Sequence, residues 1–332
     1  MKRKEFGLDE MGSVIKIKNL SKDLSIILSD YENWDVKMDK VLKWINQFDK
    51  VGATKKEMII ILEELVRIFK ITYFSRKKII ECIKIILQEN TNSNISFLDM
   101  LRFRKSDKYK SSSQSDYIKL IKSIDKSIKI NNFKADILVY FDDYIISGNS
   151  IKQDLDYLLE KNVLSKTYFY FLAITTSGLY QVEREYNYKK LVRFFEFENR
   201  LFYKNKSNIL WPYENEIDIC KNFDYSNMTF RAGFEKSSLF EEDERKKLLE
   251  YYFWKAGCYI LNKTSGSALL PLGAGYPKTV GSGIITATYI NIPNNAPICL
   301  WWGDERENNY WFPLLKRKTN KKQYEENKDI DE

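Results

Sequence analysis

Two adjacent carboxylates, Asp142 and Asp143, follow the apolar run Ile137-Leu138-Val139-Tyr140-Phe141 and lead through Tyr144-Ile145-Ile146 into Ser147-Gly148-Asn149-Ser150. The pattern predicts a strand that delivers its acids to a sheet edge, where they can bind the vicinal hydroxyls of a ribose. The small-residue turn then opens a helix marked by Ile151, Leu155, Leu158 and Leu159. Backbone N–H groups at such a helix start form an anion site suited to a 5′-phosphate. Glycine allows the tight turn and the close approach of the phosphate. The competing reading is plainer: acids after a strand also start turns and cap helices.

Composition narrows the chemistry further. The 332 residues contain no histidine, which removes Ser-His-Asp and Cys-His nucleophile systems and every imidazole acid, base or metal ligand. Catalysis must then use carboxylates, hydroxyls, lysine, arginine, backbone amides or bound magnesium. Cys82, Cys220, Cys258 and Cys299 form no CxxC pair, so neither a zinc site nor a disulfide framework is expected. The net charge of +8, from 54 basic and 46 acidic residues, suits a phosphate-bearing ligand. It is compatible with nucleic acid too, but no motif specifies one. Much of the excess sits in Lys2-Arg3-Lys4 and Lys316-Arg317-Lys318, where solvated termini are the simpler reading. No apolar run reaches the roughly 18–20 residues that span a bilayer, and no apolar stretch backs the basic start. The expectation is a cytoplasmic protein without a membrane partner.

The elements that must position the acids follow from periodicity. Residues 36–49 place Val41, Leu42, Ile45 and Phe48 on one helical face with Trp44 beside them. Thr54 and Glu57 have capping-box spacing before a helix running to Phe69, and Ser75 precedes a third helix carrying Ile79, Ile83 and Ile86. From residue 95 the pattern alternates: strands at 95–103, 137–141, 167–174 and 191–197, with helices at 115–130, after 150 and after 178. Near-continuous apolar strands alternating with helices predict an α/β fold with a mostly parallel sheet flanked by helices. Ligands bind such sheets beyond the carboxyl ends of the strands. The polar loops 104–114, 142–150 and 175–178 should therefore share one rim, adding Thr175 and Thr176 to the candidate residues.

The expected organisation is an N-terminal helical subdomain over 1–92, an α/β core over 93–235, a C-terminal α+β extension packed on the core over 236–315, and a charged, disordered tail over 316–332. In the extension, Ser238 and Glu241 have cap spacing for a helix to about Leu261. Strands are expected at 284–291 and through Trp301-Trp302. Pro293-Asn294-Asn295 reads as a turn, and the two tryptophans as core or interface rather than a stacking platform.

The Asp142–Ser150 segment resembles the phosphoribosyl-pyrophosphate motif of type I phosphoribosyltransferases. Asp142 and Asp143 match the acidic pair, and Ser147, Gly148 and Ser150 match the phosphate turn. Lys110-Ser111-Ser112-Ser113-Gln114-Ser115 falls at the pyrophosphate-loop position. Ile146 departs from the family: purine-using members usually carry an acid there that serves as base, and others carry threonine. Together with Trp44, Phe48, Pro271-Leu272-Gly273, Pro293-Asn294-Asn295 and Trp301-Trp302, the chain is similar to phosphoribosyltransferase-like proteins of prokaryotic conflict systems, which are effectors or sensors of antiviral operons.

That resemblance implies an enzyme acting at the anomeric carbon of a ribose phosphate or nucleotide. Asp142, Asp143 and Lys110 would be catalytic. Ser147, Gly148, Asn149, Ser150, Ser111, Ser112, Ser113, Thr175 and Thr176 would bind substrate. Mg2+ would arrive with the substrate, with no resident protein-held metal, and a defence-operon protein would be the partner. The alternatives are a catalytically inactive nucleotide or phosphoribosyl-pyrophosphate sensor, and a scaffold with a degenerate pocket.

Overall fold

The computed structural model describes residues 2–103, 113–146, 148–186, 191–197, 209–210, 239–240, 242–263, 269–274, 283–303 and 311–317. In chain order its elements begin α1 (Lys2–Ile27), α2 (Met38–Asn46), α3 (Lys55–Thr72), β1 (Tyr73–Phe74) and α4 (Arg76–Glu89). There follow β2 (Ile95–Phe97), α5 (Ser113–Ile124), β3 (Lys129–Ile130), β4 (Ile137–Ile145), α6 (Asn149–Glu160), β5 (Thr167–Thr175), α7 (Thr176–Tyr186) and β6 (Leu191–Phe197). The last are α8 (Asp243–Leu261), β7 (Leu269–Leu270), β8 (Gly273–Ala274), β9 (Ala287–Thr288) and the short α9 (Ile298–Trp301).

Contacts divide these elements into two compact units, one formed by Met1–Ser75 with Phe197–Arg317, the other by Arg76–Glu196. The divisions fall at 75/76 and 196/197, where the sequence suggests 92/93 and 235/236. Helix α4 keeps company with the sheet unit because it contacts α5, and α8 joins the N-terminal helices because it contacts α3. The charged tail expected over 316–332 lies, from residue 318, outside the described residues.

The sheet unit holds a five-stranded sheet in the order β3-β2-β4-β5-β6. The pairings of β2 with β3, β2 with β4, and β4 with β5 are all parallel. This is the α/β fold with a mostly parallel sheet that the alternating pattern predicts. One face buries Tyr140, Phe169 and Phe171 against Ile151, Leu155 and Leu158 of α6 and Leu179 and Val182 of α7. On the other, Phe141 meets Tyr117 of α5 edge-on at 5.3 Å. Both faces are covered, as the absence of strict polar alternation in β4 and β5 requires.

Strand β4 runs further than the apolar run alone suggests. Asp142 pairs with Phe171, Tyr144 with Ala173 and Ile145 with Ile174, so the acids lie inside the ladder rather than beyond it. The β-favouring Tyr144-Ile145 pair and a neighbour of equal length carry the strand past the two carboxylates. Two other boundaries move. The strand expected at 95–103 stops at Phe97, and a 3-10 turn follows at Met100–Arg102. The helix expected at 115–130 ends at Ile124. There the Asp125 carboxylate accepts hydrogen bonds from the Ser127 amide at 2.8 Å and hydroxyl at 2.6 Å, turning the chain into β3.

In the other unit, α3 begins with the expected capping box: the Thr54 amide donates to Glu57 Oε2 at 2.6 Å, and the Glu57 amide donates to Thr54 Oγ1 at 3.4 Å. Trp44 and Trp311 both donate their indole N–H to the Cys299 carbonyl at 2.8 Å, while Phe48 packs between Trp44, Trp311 and Phe253. Cys82 and Cys299 are buried, Cys258 is half-buried, and none of the three forms a disulfide.

The segment through Trp301 is a short helix, not a strand. Pro297 sets its entry at φ −49°, and the Trp302 amide donates to Ile298 O at 2.7 Å. The turn at 293–296 closes through Ala296 N to Pro293 O at 3.1 Å, and Trp301 is buried with its indole N–H on Ala296 O at 2.9 Å. These flanking motifs are joints in the fold. Only Ala287–Thr288 of the strand expected at 284–291 forms, pairing in parallel with β1. Among the described residues, no helix is long and apolar enough to cross a membrane.

Candidate functional site

In the parallel ladder, β2, β4 and β5 end on the same rim, and the chain leaves them toward α5, α6 and α7. Ser113, the first residue of α5, points its hydroxyl at β4 and donates to Asp142 Oδ1 at 3.0 Å. The same oxygen accepts the Asp143 amide at 2.9 Å, and Asp143 Oδ1 accepts the Tyr144 amide at 2.9 Å. Both acids are half-buried. Burial pushes the Asp143 carboxyl well above the ordinary carboxylate range of 3.8, and the charge and hydrogen bond of Asp142 add to the rise. The hydrogen bonds from Ser113 and the Tyr144 amide oppose it without prevailing. The pair therefore resists carrying two full charges. A singly charged carboxyl pair can accept hydroxyl protons and donate one, which suits a vicinal diol.

The turn after β4 has the geometry that an anion site needs. Gly148 takes φ +74°, ψ −12°, a left-handed conformation that costs glycine nothing, and α6 starts at the next residue. The amides of Asn149 and Ser150 are thus in the first turn of a helix, where they have no partner four residues back. At the end of β5, Thr175 is fully buried and donates its hydroxyl to Ile146 O at 2.6 Å. Thr176 opens α7 and is half-buried. Lys110, Ser111, Ser112 and Ser147 lie outside the described residues. Of the sequence-derived candidates, the structure joins Ser113 to Asp142 directly, and joins Thr175 to the backbone of the turn.

A family model, PRTase-CE, matches residues 41–317 of this chain. The chain belongs to the PRTase-CE family. With the parallel sheet, that membership makes it a phosphoribosyltransferase-like α/β protein. No curated protein matches it. A solved structure, that of the AQ2163 protein from Aquifex aeolicus, is similar at 13% identity and a TM-score of 0.28, over 37% of this chain and 76% of that one. That likeness is too slight to bear on fold or function.

This PRTase-CE chain also holds polar groups at the rim that the motif alone does not reveal. Tyr140 lies two residues before Asp142, and its hydroxyl is 2.9 Å from Asp154 Oδ2 and 3.4 Å from Asp142 Oδ2. Asp154 is buried on α6. The signal for it is in the sequence: a carboxylate stands inside the stripe Ile151, Leu155, Leu158, where periodicity expects an apolar residue. Asp99, buried after β2, accepts from the Ser115 hydroxyl at 3.3 Å, and Gln114 accepts the Met100 amide at 2.9 Å.

Magnesium fits this PRTase-CE site only in one form. Among the described residues, no group of three carboxylates, thiols or imidazoles could enclose a metal ion. Asp142 and Asp143 can offer oxygen to an ion held mainly by phosphate and water, which is how Mg2+ commonly binds. The ion's positive charge would favour the ionised form of Asp143, against the rise that burial and Asp142 impose.

Proposed function

We propose that this chain binds a ribose phosphate or nucleotide, with Mg2+, at the β4–α6 rim and acts at its anomeric carbon, in the setting of an antiviral defence system in the cytoplasm. The observation that carries the reading is the Ser113–Asp142–Asp143 cluster beside a helix start entered through a left-handed glycine. Asp142 and Asp143 hold the ribose hydroxyls. The amides of Ser147 to Ser150 take the 5′-phosphate, with the helix dipole favouring its charge. Lys110 and Ser111 to Ser113 steady the departing pyrophosphate or base. Mg2+ arriving with the substrate, offered oxygen by Asp142 and Asp143, would supply positive charge against the leaving group. The chain's own part is to orient the sugar and to stabilise charge as the glycosidic bond breaks.

Incubation with phosphoribosyl pyrophosphate, Mg2+ and a nucleotide panel, read by mass spectrometry, tests this. The wild type should yield a product, and Asp142→Asn with Asp143→Asn should fall to background with an unchanged circular dichroism spectrum. Full activity in the double variant overturns the assignment.

A second reading, a nucleotide sensor without turnover, is favoured by Ile146. An aliphatic side chain stands where a carboxylate base would be needed, and its carbonyl is already taken by Thr175. Micromolar binding by calorimetry with no product from any nucleotide selects the sensor.

A further inference from the structure

Thr175 occupies a position in the fold that a ligand-contacting residue would not. It is the final residue of β5, one step past the last ladder pair with β4, Ile145 with Ile174, and beside Ile146. Its hydroxyl donates to Ile146 O at 2.6 Å and accepts the Gly178 amide at 3.0 Å. The second bond has the spacing of an N-cap, with Gly178 as the third residue of α7. A hydroxyl has one proton, and this one is committed to a backbone carbonyl. The residue is fully buried.

Gly178 leaves room for the same carbonyl. A Cβ there would lie 2.7 Å from Ile146 O and 2.9 Å from Ile145 Cγ2, inside van der Waals contact with strand and turn. The first turn of α7 is therefore seated on the end of β4. Two residues beyond Ile146 comes Gly148, and then the amides that open α6.

We infer that Thr175 and Gly178 form a latch that positions the phosphate-binding turn, and that Thr175 is a positioning residue rather than a substrate contact. The inference deepens the ribose-phosphate reading and rests on it for its functional consequence. The latch itself is a property of the unliganded chain. Without the Thr175 hydroxyl, Ile146 O and the Gly178 amide both lose a partner, and the α6 amides lose their fixed approach to an anion. Serine keeps both bonds, and valine keeps only the shape.

Two measurements on the full chain test the latch. Hydrogen–deuterium exchange of the ligand-free protein should show the peptide spanning 145–155 exchanging about tenfold faster in Thr175→Val. Thr175→Ser should match the wild type, and Gly178→Ala should resemble the valine variant. Binding of ribose 5-phosphate by calorimetry should then weaken about tenfold in Thr175→Val and recover to within about threefold in Thr175→Ser. Unchanged exchange in Thr175→Val overturns the latch. Weakened binding with unchanged exchange also overturns it, and makes Thr175 a direct contact. Faster exchange in a chain whose wild type binds no ribose 5-phosphate leaves the latch standing and removes the sugar-phosphate reading instead.

Discussion

Each unit buries acidic side chains beside one another, and the two do opposite things with them. In the helical unit, Glu63 and Glu64 of α3 face Arg245 of α8, which reaches them at 2.5 Å and 2.7 Å. Arg67 adds a bond to Glu64 at 2.5 Å, and Lys16 one to Glu63 at 2.7 Å. Burial pushes the Glu63 carboxyl up, but Lys16 and Arg245 together outweigh it and hold it below its ordinary value. In the sheet unit, burial pushes Asp143 up and the charge of Asp142 pushes it further. Where acids build the fold, their charge is matched within the chain. Where they line the rim, two adjacent carboxyls crowd one another instead, and the second resists ionising.

The largest test breaks the matched side. Arg245→Ala leaves Glu64, whose side chain is 1% exposed, with one guanidinium in place of two. We expect a loss of about 3 kcal/mol, the low end for breaking a buried ion pair, because Arg67 remains. Urea unfolding followed by tryptophan fluorescence reads it as a lower midpoint. The sign with pH follows from Glu63, whose folded carboxyl titrates below the unfolded value of 4.5. Its contribution is full above 4.5 and is lost as pH falls through the folded value, so the penalty should shrink in acid. A midpoint shift worth less than about 1 kcal/mol at neutral pH would sink the account of this network.

The next test acts on the sheet unit and has the opposite sign. Asp143 keeps its proton in the folded state to a higher pH than in the unfolded chain, where it titrates near 3.8. Below that pH both states are protonated, and the group contributes nothing to the pH dependence. As pH rises, the unfolded chain ionises first and stability falls until the folded carboxyl titrates. Asp143→Asn removes that loss. It should raise Tm by roughly 2–4 °C at pH 7, about 1 kcal/mol for a chain of this class, with the gain vanishing toward pH 3.8 and ligand binding lost. A variant that is less stable than wild type at pH 7 would show that Asp143 is structural.

Much of this contrast is legible before any coordinates, and the parts that are not fail for physical reasons. The capping box at Thr54, the alternation from residue 137 to 197 and the helix after Ser150 all rest on local signals. Helix α1 is absent from the sequence reading, because its buried seam, Ile17, Ser21 and Leu24, contains a serine where the stripe should be apolar. The pairing of α8 with α3 depends on residues 181 and 182 positions apart, and no period in the sequence encodes it. At the site, the acid pair and the turn were readable as a motif. The reach of β4 past Asp143 was not, since its length is set by pairing with β5. Nor was the bond from Ser113 to Asp142, 29 residues away. The Thr175 bond to Ile146 escapes for the same reason: its acceptor is a backbone carbonyl, which leaves no mark on residue type.

The smallest test sharpens the comparison inside the site itself. Ser113→Ala removes the hydroxyl that donates to Asp142 Oδ1 at 3.0 Å, while the Asp143 amide at 2.9 Å stays on the same oxygen. The direct cost should sit near about 0.5 kcal/mol, the low end for a single hydrogen bond. The informative quantity is the coupling. Ser113 holds the Asp143 carboxyl down, so its loss lets burial and the Asp142 charge raise that carboxyl further. The gain from Asp143→Asn at pH 7 must then be larger in the Ser113→Ala background than in the wild type. A double-mutant cycle of thermal midpoints measures the difference directly. Strict additivity would mean that the serine and the second acid do not sense one another, and the rim would be three separate polar residues instead of one titrating cluster.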